Sequence, residues 1–408
     1  MADKPALLFL AHRIPYPPNK GDKIRSFHIL KRLSEHFSVH LGTFIDDPED
    51  WQYCSAVSAF CAQAHFVERK PRWHKLRALS GLLSGKALSV AYYASGDMQQ
   101  WVDRQLREFA IEQAVLFCSP MAQFIGAGHP GLPSTKRTVI DFVDLDSEKW
   151  SQYAATHGGI MRLLYAREGR ALLAHERRAA GVADQSFFVS EPEAALFRER
   201  APEVADRVAA FVNGVDTDFF APDPDLPKPY AEGAQVLVFT GAMDYWPNID
   251  AVSRFAHDVF PELYGKFPSL QFWIVGGKPT SAVKRLAEHS AIHVTGRVPD
   301  VRPYIQHALA AVAPMQIARG IQNKVLESLA MHKPIIASPE ALEGIEQGLY
   351  RNIAVARSKV EWVEAVRYLC SGIGGPTVAT VAFESDASDA MSWSNNLKPM
   401  FAALNVDI

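Results

Sequence analysis

Cysteine is scarce: Cys54, Cys61, Cys118 and Cys370 are all that the 408 residues contain. None forms a C-x-x-C pair, and no disulfide framework is visible. A reducing compartment suits such usage. A basic excess is also missing. With 42 basic and 45 acidic residues the formal charge is -3, which argues against a dedicated nucleic-acid binder. No apolar run approaches the roughly 18 residues of a membrane-spanning helix. The run at 6–11 after Met-Ala-Asp-Lys-Pro is too short for a signal peptide, and no small-residue cleavage site follows it. A cytoplasmic protein is expected. The 14 histidines include no H-E-x-x-H and no zinc spacing. There is no G-x-x-x-x-G-K-[ST], and Val275-Gly-Gly-Lys278 does not complete G-x-G-x-x-G. Zinc hydrolases, Walker-type ATPases and Rossmann dehydrogenases are thereby disfavoured.

What is present is an ordinary globular composition, 48% hydrophobic and 21% charged, long enough for two or three domains at about 150 residues each. Short continuous apolar runs recur at 7–11, 39–45, 114–118, 138–143 and 186–189. A second series lies at 236–240, 270–275, 292–295, 310–313, 335–337 and 353–356. Continuous rather than alternating runs suit strands buried on both faces of a parallel sheet. Between them lie segments of helical spacing, such as 22–37 with Asp22 as candidate cap and 248–264 with Asn248 as candidate cap. The alternation predicts a doubly wound α/β architecture. Four prolines at 221–229 mark an expected interdomain linker. The expected domains are 1–213 and 214–389, with a tail of about 390–408 packing back on the first.

Ligands in such sheets bind beyond the C-terminal ends of the strands. Four loops there draw attention. The first, at 11–22, carries three prolines, Gly21 and a helix start, with Arg13, Lys20, Lys23 and Arg25 adding positive charge; it reads as a wall of an active cleft or as a stiff surface loop with a solvated basic rim. The second places Asp141, Asp144 and Asp146 at a strand end, where a carboxylate orients a hydroxyl, acts as a base or caps a helix. The third, at 239–249, has Gly241 for close backbone approach, or is a structural loop with Trp246 in a core. The fourth, at 313–334, ends a strand at Pro314 and starts a helix near 320–322. Gly320 and Ile321 offer bare N–H groups to a phosphate there. Lys324 and Glu327, three apart, share a face expected to be exposed. They read as cleft residues, Lys324 meeting a diphosphate and Glu327 sugar hydroxyls, or as a surface ion pair.

Gly-Ile-Gln-Asn-Lys-Val-Leu-Glu-Ser-Leu-Ala-Met at 320–331, followed by Lys-Pro-Ile-Ile-Ala-Ser at 333–338, resembles the donor-binding signature of glycosyltransferase family 4. Asn-Gly-Val-Asp at 213–216 resembles that family's interdomain junction, and Thr-Gly-Ala at 240–242 and Gly-Arg-Val at 296–298 its donor-side loops. His-Arg-Ile-Pro-Tyr-Pro-Pro-Asn-Lys-Gly-Asp-Lys-Ile-Arg at 12–25 and the stretch at 144–150 are similar to sugar transferases associated with exosortase and exopolysaccharide clusters. The resemblance implies a GT-B fold, two Rossmann-like α/β domains facing across a cleft. It implies a nucleotide-diphosphate sugar as co-substrate, transfer with retention, no metal or other cofactor, and no nucleic-acid partner. Gly241, Arg297, Arg319, Gly320, Ile321, Gln322, Lys324 and Glu327 would bind the donor. Arg13, Asn19, Lys20 and Asp22 would face a glycan or polyprenyl-diphosphate-linked acceptor. Gly21, Asp144 and Lys324 would serve the reaction centre.

The chain departs from the family at two points. Arg319 stands where the first of two glutamates is usual, and Ala242, Met243 and Asp244 follow Gly241 where a basic residue is usual. Lys324 and Arg297 become candidates for the missing charge. Arginine can only donate, so Arg319 suits a diphosphate or an acidic sugar. Two other readings stand beside the transferase: a nucleotide-sugar epimerase or phosphorylase of the same fold, and a non-catalytic scaffold that binds sugar nucleotide. Five basic residues around Trp73 at 69–77, followed by leucines to Leu83, read as a peripheral contact with the inner membrane face or as a solvated helix.

Overall fold

A computed structural model describes residues 4–18, 21–69, 85–125, 135–317, 321–345, 353–371 and 391–406. The chain divides into two compact units, 1–212 with 397–408, and 213–396.

In the first unit β1 (Ala6–Ala11), β2 (Ser38–Ile45), β3 (Gln63–Glu68), β4 (Gln113–Phe117), β5 (Arg137–Val143), β6 (Gln185–Phe188) and β7 (Val208–Ala210) form one parallel sheet in the order β3-β2-β1-β4-β5-β6-β7. The continuous apolar runs are central strands, with Leu7 to Ala11 wholly buried and Phe9 level with Leu41 and Val115. Helix α1 (Gly21–His36) buries Ile29, Leu30 and Leu33. Helix α2 (Gly96–Glu108) starts at Ser95, whose Oγ accepts the Met98 N–H at 3.2 Å, and buries Met98, Trp101, Val102, Gln105 and Leu106 at helical spacing. Helices α3 (Asp146–Thr156) and α4 (Gly159–Val182) form a hairpin after β5. The terminal helix Lys398–Ala403 returns to this unit: Phe401 meets His36 at 5.4 Å and Arg137 Nη1 donates to the Ala403 carbonyl at 3.0 Å.

The second unit holds β8 (Gln235–Thr240), β9 (Leu270–Val275), β10 (Ile292–Gly296), β11 (Ala310–Ala313), β12 (Ile335–Ala337) and β13 (Ile353–Val355), all parallel, in the order β10-β9-β8-β11-β12-β13. Helix α5 (Trp246–Arg254) follows β8, and α6 (Asn323–Ala330) follows β11, with Val325, Leu326 and Leu329 buried.

Several expectations need correction. The strands β3 and β7 are not among the expected runs: β3 is a half-buried edge strand broken by polar residues, and β7 is a three-residue edge strand, Val-Ala-Ala, that opens the short apolar run 208–212. The proline-rich segment is no free linker. It lies against helix Arg302–His307 of the second unit, where the Asp223 N–H donates to Gln306 Oε1 at 2.8 Å, Gln306 Nε2 to the Asp223 carbonyl at 2.5 Å, and His307 pairs with the Leu226 carbonyl at 3.0 Å. The stretch turns at 223–226, where the Leu226 N–H donates to the Asp223 carbonyl at 3.2 Å, and its prolines keep it out of helix and sheet, so other backbone groups bond side chains. Asp22 and Asn248 are not caps, because their helices begin at Gly21 and Trp246 and both side chains point elsewhere. Among the described residues no helix is long and apolar enough to cross a membrane.

Candidate functional site

Strand order locates the chemistry. In each sheet the first strand in sequence lies between two strands whose connections leave in opposite directions, creating a crevice at their C-terminal ends. In the first unit this point lies between β1 and β4, in the second between β8 and β11.

At the β1 end stand His12 and Arg13. The His12 ring stacks on Phe117, the last residue of β4, at 5.7 Å, and its edge meets Tyr93 at 5.8 Å. Its Nε2 lies 3.5 Å from Asp22 Oδ2. Arg13 bridges two carboxylates, reaching Asp22 at 2.6 Å and Asp46, just past β2, at 2.7 Å. Burial alone would raise the Asp22 carboxyl; the hydrogen bond from His12 and the charge of Arg13 overcome it and hold Asp22 well below the usual carboxylate range. Asp22 therefore ties the first turn of α1 to the end of β1.

Of the predicted basic rim, Lys23 and Arg25 are not solvated. Lys23 is buried and donates to Asp50 at 2.7 Å. Arg25 is wholly buried, with Nε 2.7 Å from Asp141 Oδ2 and Nη2 3.2 Å from Oδ1, while its guanidinium lies 3.7 Å from the Phe211 ring centre. Burial raises the Asp141 carboxyl, and the charge and hydrogen bonds of Arg25 only partly offset this, so Asp141 serves as a structural partner of the buried guanidinium. Gly21 sits exposed in the first turn of α1, and a Cβ there would meet nothing within 4 Å. Asp144 is half-buried at the end of β5 and accepts from Lys149 Nζ at 2.7 Å, which also reaches Asp146 at 2.9 Å. The two carboxylates carry Lys149 above the ordinary lysine range against the cost of its burial. Val143, just before Asp144, has φ 68°, a backbone outlier for a β-branched residue. Arg69 is buried against Tyr92 and Tyr93, its guanidinium 3.6 and 4.1 Å from their ring centres. It is therefore not offered to a membrane, contrary to expectation; residues 70–83 of that stretch lie outside the described residues.

In the second unit the loops after β8 and β9 touch. A Cβ on Gly276 would run into the Gly241 carbonyl oxygen, so that close approach requires glycine. The Gly241 N–H bonds the Val275 carbonyl at 3.1 Å, and the Met243 N–H the Gly277 carbonyl at 2.9 Å. Asn248, from the first turn of α5, donates to the Ala242 carbonyl at 2.9 Å and accepts from Lys324 Nζ at 3.2 Å. Lys324 also reaches Gln322 Oε1 at 3.2 Å and lies 4.9 Å above the Phe239 ring centre. Through Asn248 the ammonium is linked to the loop after Gly241, where the sequence lacks a basic residue. Together with Thr240 and Ser328 it lines a small cavity beneath α6.

Helix α6 begins at Asn323 rather than at 320–322, with Gln322 at the cap position and Ile321 buried before it. The face shared by Lys324 and Glu327 is not exposed: both are half-buried. Burial lowers the Lys324 ammonium to about 8 and raises the Glu327 carboxyl to about 7, each partly offset by the other's charge. Arg297 is exposed after β10, its Cβ 3.7 Å from the Cβ position of Gly277. Trp246 is 55% exposed rather than in a core. Asn19, Lys20, Arg319 and Gly320 lie outside the described residues. Sequence reasoning gave no role to His12 or Lys149, and gave Asn248 only that of a helix cap. Only His12, one residue past an apolar run, carried a positional signal.

A family model described as "Glycosyl transferases group 1" matches residues 234–371. A search of curated proteins found no match. Among solved structures the chain is similar to Anabaena Alr3699/HepE, a complex with UDP-glucose, at 13% identity and a TM-score of 0.64, covering 98% of this chain and 99% of that one. WaaG, a glycosyltransferase involved in lipopolysaccharide biosynthesis, is similar at 16% identity and a TM-score of 0.59, with 98% and 99% covered. Sucrose-phosphate synthase from Thermosynechococcus elongatus is similar at 13% and 0.61, with 97% and 92% covered. The fold class is α/β of the GT-B type. The glycosyltransferase match thus falls within the second unit, over the segment that holds β8 to β13 and α6.

Proposed function

We propose that the chain transfers a sugar, with retention, from a nucleotide-diphosphate sugar to a glycan or a polyprenyl-diphosphate-linked acceptor in bacterial cell-surface polysaccharide synthesis. The observation that carries this reading is Lys324, held by Asn248 and Gln322 at the β8–β11 crevice, inside the matched domain. A diphosphate leaving as a sugar departs gains charge, and a fixed cation beside a helix N-terminus stabilises that charge. In this reading Lys324, the backbone at 320–322 and Arg297 meet the diphosphate, and Glu327 accepts from the ribose hydroxyls. Arg319 meets the diphosphate or an acidic sugar. The Gly241–Gly276 contact brings bare backbone up to the donor. The UDP-glucose in the HepE complex supports a nucleotide-sugar donor.

On the acceptor side the reading uses Arg13, Asn19, Lys20 and Asp22, with Gly21 and Asp144 at the reaction centre. Kinship with family 4 and with the exosortase-associated transferases, cytoplasmic placement with peripheral contact at the inner membrane, and independence of metal belong to the same proposal. Incubation with a panel of nucleotide sugars tests it. Release of nucleoside diphosphate that depends on an added acceptor is the expected result. Isomerised sugar would point to an epimerase, and binding without turnover to a scaffold; either outcome overturns the transferase.

A further inference from the structure

The α3–α4 hairpin ends in a surface that the donor chemistry does not use. Ile160 is 80% exposed and Leu163 70%, with Met161 and Tyr153 exposed beside them. A soluble domain rarely leaves so many large apolar side chains together on one helical turn. Behind them is an aromatic cluster: Tyr165 lies 5.6 Å from Trp150, 5.9 Å from Tyr153 and 5.1 Å from His157. The base of the hairpin is firmly packed. Ala154 and Leu172 are buried, and a Cβ on Gly169 would stand 3.0 Å from Ser151 Oγ and 3.1 Å from the Ser147 carbonyl, so the two helices cross closely there. The exposed tip thus stands on an ordered pair of helices.

Charge around the tip has one sign. From 150 to 167 the sequence has no aspartate or glutamate, while Arg162 and Arg167 lie within that stretch and Arg170 follows it. Arg162 and Arg170 are exposed. The nearest acid, Glu168, is buried; it accepts the N–H groups of Leu88 at 2.8 Å and Ser89 at 3.1 Å and pairs with Arg167 at 3.3 Å, so Arg162 and Arg170 are the exposed cations here. Glu148 lies 3.4 Å from Arg200.

We propose that the tip of the α3–α4 hairpin docks the protein on an anionic lipid bilayer, with Ile160 and Leu163 entering the headgroup boundary and Arg162 meeting lipid phosphates. Exposed aliphatic residues, a Trp–Tyr cluster and flanking arginines are the composition that rests at a membrane surface without spanning it. A second copy of the chain fits less well, because a two-fold contact through this patch sets Arg162 near its own symmetry mate with no acid to receive it. The inference names a surface for the membrane contact of the preceding reading, and its test requires no sugar transfer.

The test is co-sedimentation of the full chain with vesicles of mixed phosphatidylglycerol and phosphatidylcholine at low salt, against pure phosphatidylcholine. The wild type should bind the anionic vesicles preferentially. Ile160→Ser with Leu163→Ser, both at exposed positions, should weaken binding roughly ten-fold or more, and Arg162→Gln roughly five-fold. Nucleotide-sugar affinity of these variants should equal that of the wild type, separating loss of docking from failure of the donor reading. A Leu163→Trp variant should show a blue-shifted emission on adding the anionic vesicles. Absence of wild-type binding, or undiminished binding by the double variant, overturns the inference. A dimer in light scattering that the double variant abolishes, without vesicle binding, would assign the patch to self-association and overturn it equally.

Discussion

Raising the pH from 7 to 9 should weaken nucleotide-sugar binding about ten-fold in the wild type and hardly at all in Lys324→Met. With the Lys324 ammonium lowered to about 8 by burial, about nine-tenths of it is charged at pH 7 and about one-tenth at pH 9. If the donor diphosphate binds the ammonium form, affinity follows that fraction, which corresponds to about 1.4 kcal/mol across the interval. The sign follows from the base: deprotonation removes the cation, so affinity falls as pH rises. Glu327, raised to about 7, acts on the other limb. Below that value it is neutral and a weaker acceptor for ribose hydroxyls, so affinity should also fall from pH 8 to pH 6. The two groups influence each other, so the limbs report the pair. Glu327→Gln should flatten the acid limb and Lys324→Met the alkaline one. Isothermal titration with a nucleotide sugar is the assay, because its diesterified diphosphate does not titrate across this range. An equal alkaline slope in wild type and Lys324→Met would refute the assignment of Lys324 to the diphosphate.

Turnover should survive an excess of chelator, as side-chain cations are proposed to meet the leaving diphosphate; strict dependence on magnesium or manganese would refute this. Glu176 is wholly buried, accepts the Ser147 N–H at 3.3 Å, and is raised by that burial to about 8. The native state therefore keeps a proton that the unfolded chain loses above about 4.5, and stability declines as pH rises through that window. Urea unfolding at pH 5 and pH 7 should show Glu176→Gln gaining up to about 3 kcal/mol on wild type over the interval; a constant difference would show that Glu176 does not titrate there. Arg25→Met leaves Asp141 as a buried carboxyl without its guanidinium, and denaturant melts should record a loss of roughly 3–5 kcal/mol. A loss below about 1 kcal/mol would show that water or another donor reaches Asp141.

Much of the fold was legible because a parallel strand buried on both faces must be apolar throughout. The runs that became β1, β2 and β8 each report that local requirement without knowledge of their neighbours. Edge strand β3 escaped the same rule, since Gln63 and Glu68 face solvent and only pairing with β2 makes the segment a strand. The helix at 323–330 was legible for a different reason. Val325, Leu326 and Leu329 repeat at helical spacing and form its buried stripe, whereas the burial of the Lys324–Glu327 face was not legible.

Which charges are free was decided only by the tertiary structure. Arg13, Lys23 and Arg25 look alike in sequence, yet the fold sets Asp46 and Asp22 against the first, Asp50 against the second and Asp141 against the third. Asp141 comes from 116 positions away. Asn248, in sequence a helix cap, becomes the link between Lys324 and the Ala242 carbonyl because β8 and β11 are neighbours in the sheet. Hydrophobic periodicity is a property of neighbouring residues, so the chain alone determined its strands and much of its helical pattern. Ion pairs and the burial that shifts Lys324 and Glu327 toward neutrality depend on what long-range packing places within a few ångströms, and the sequence order of distant carboxylates carries no measure of that distance.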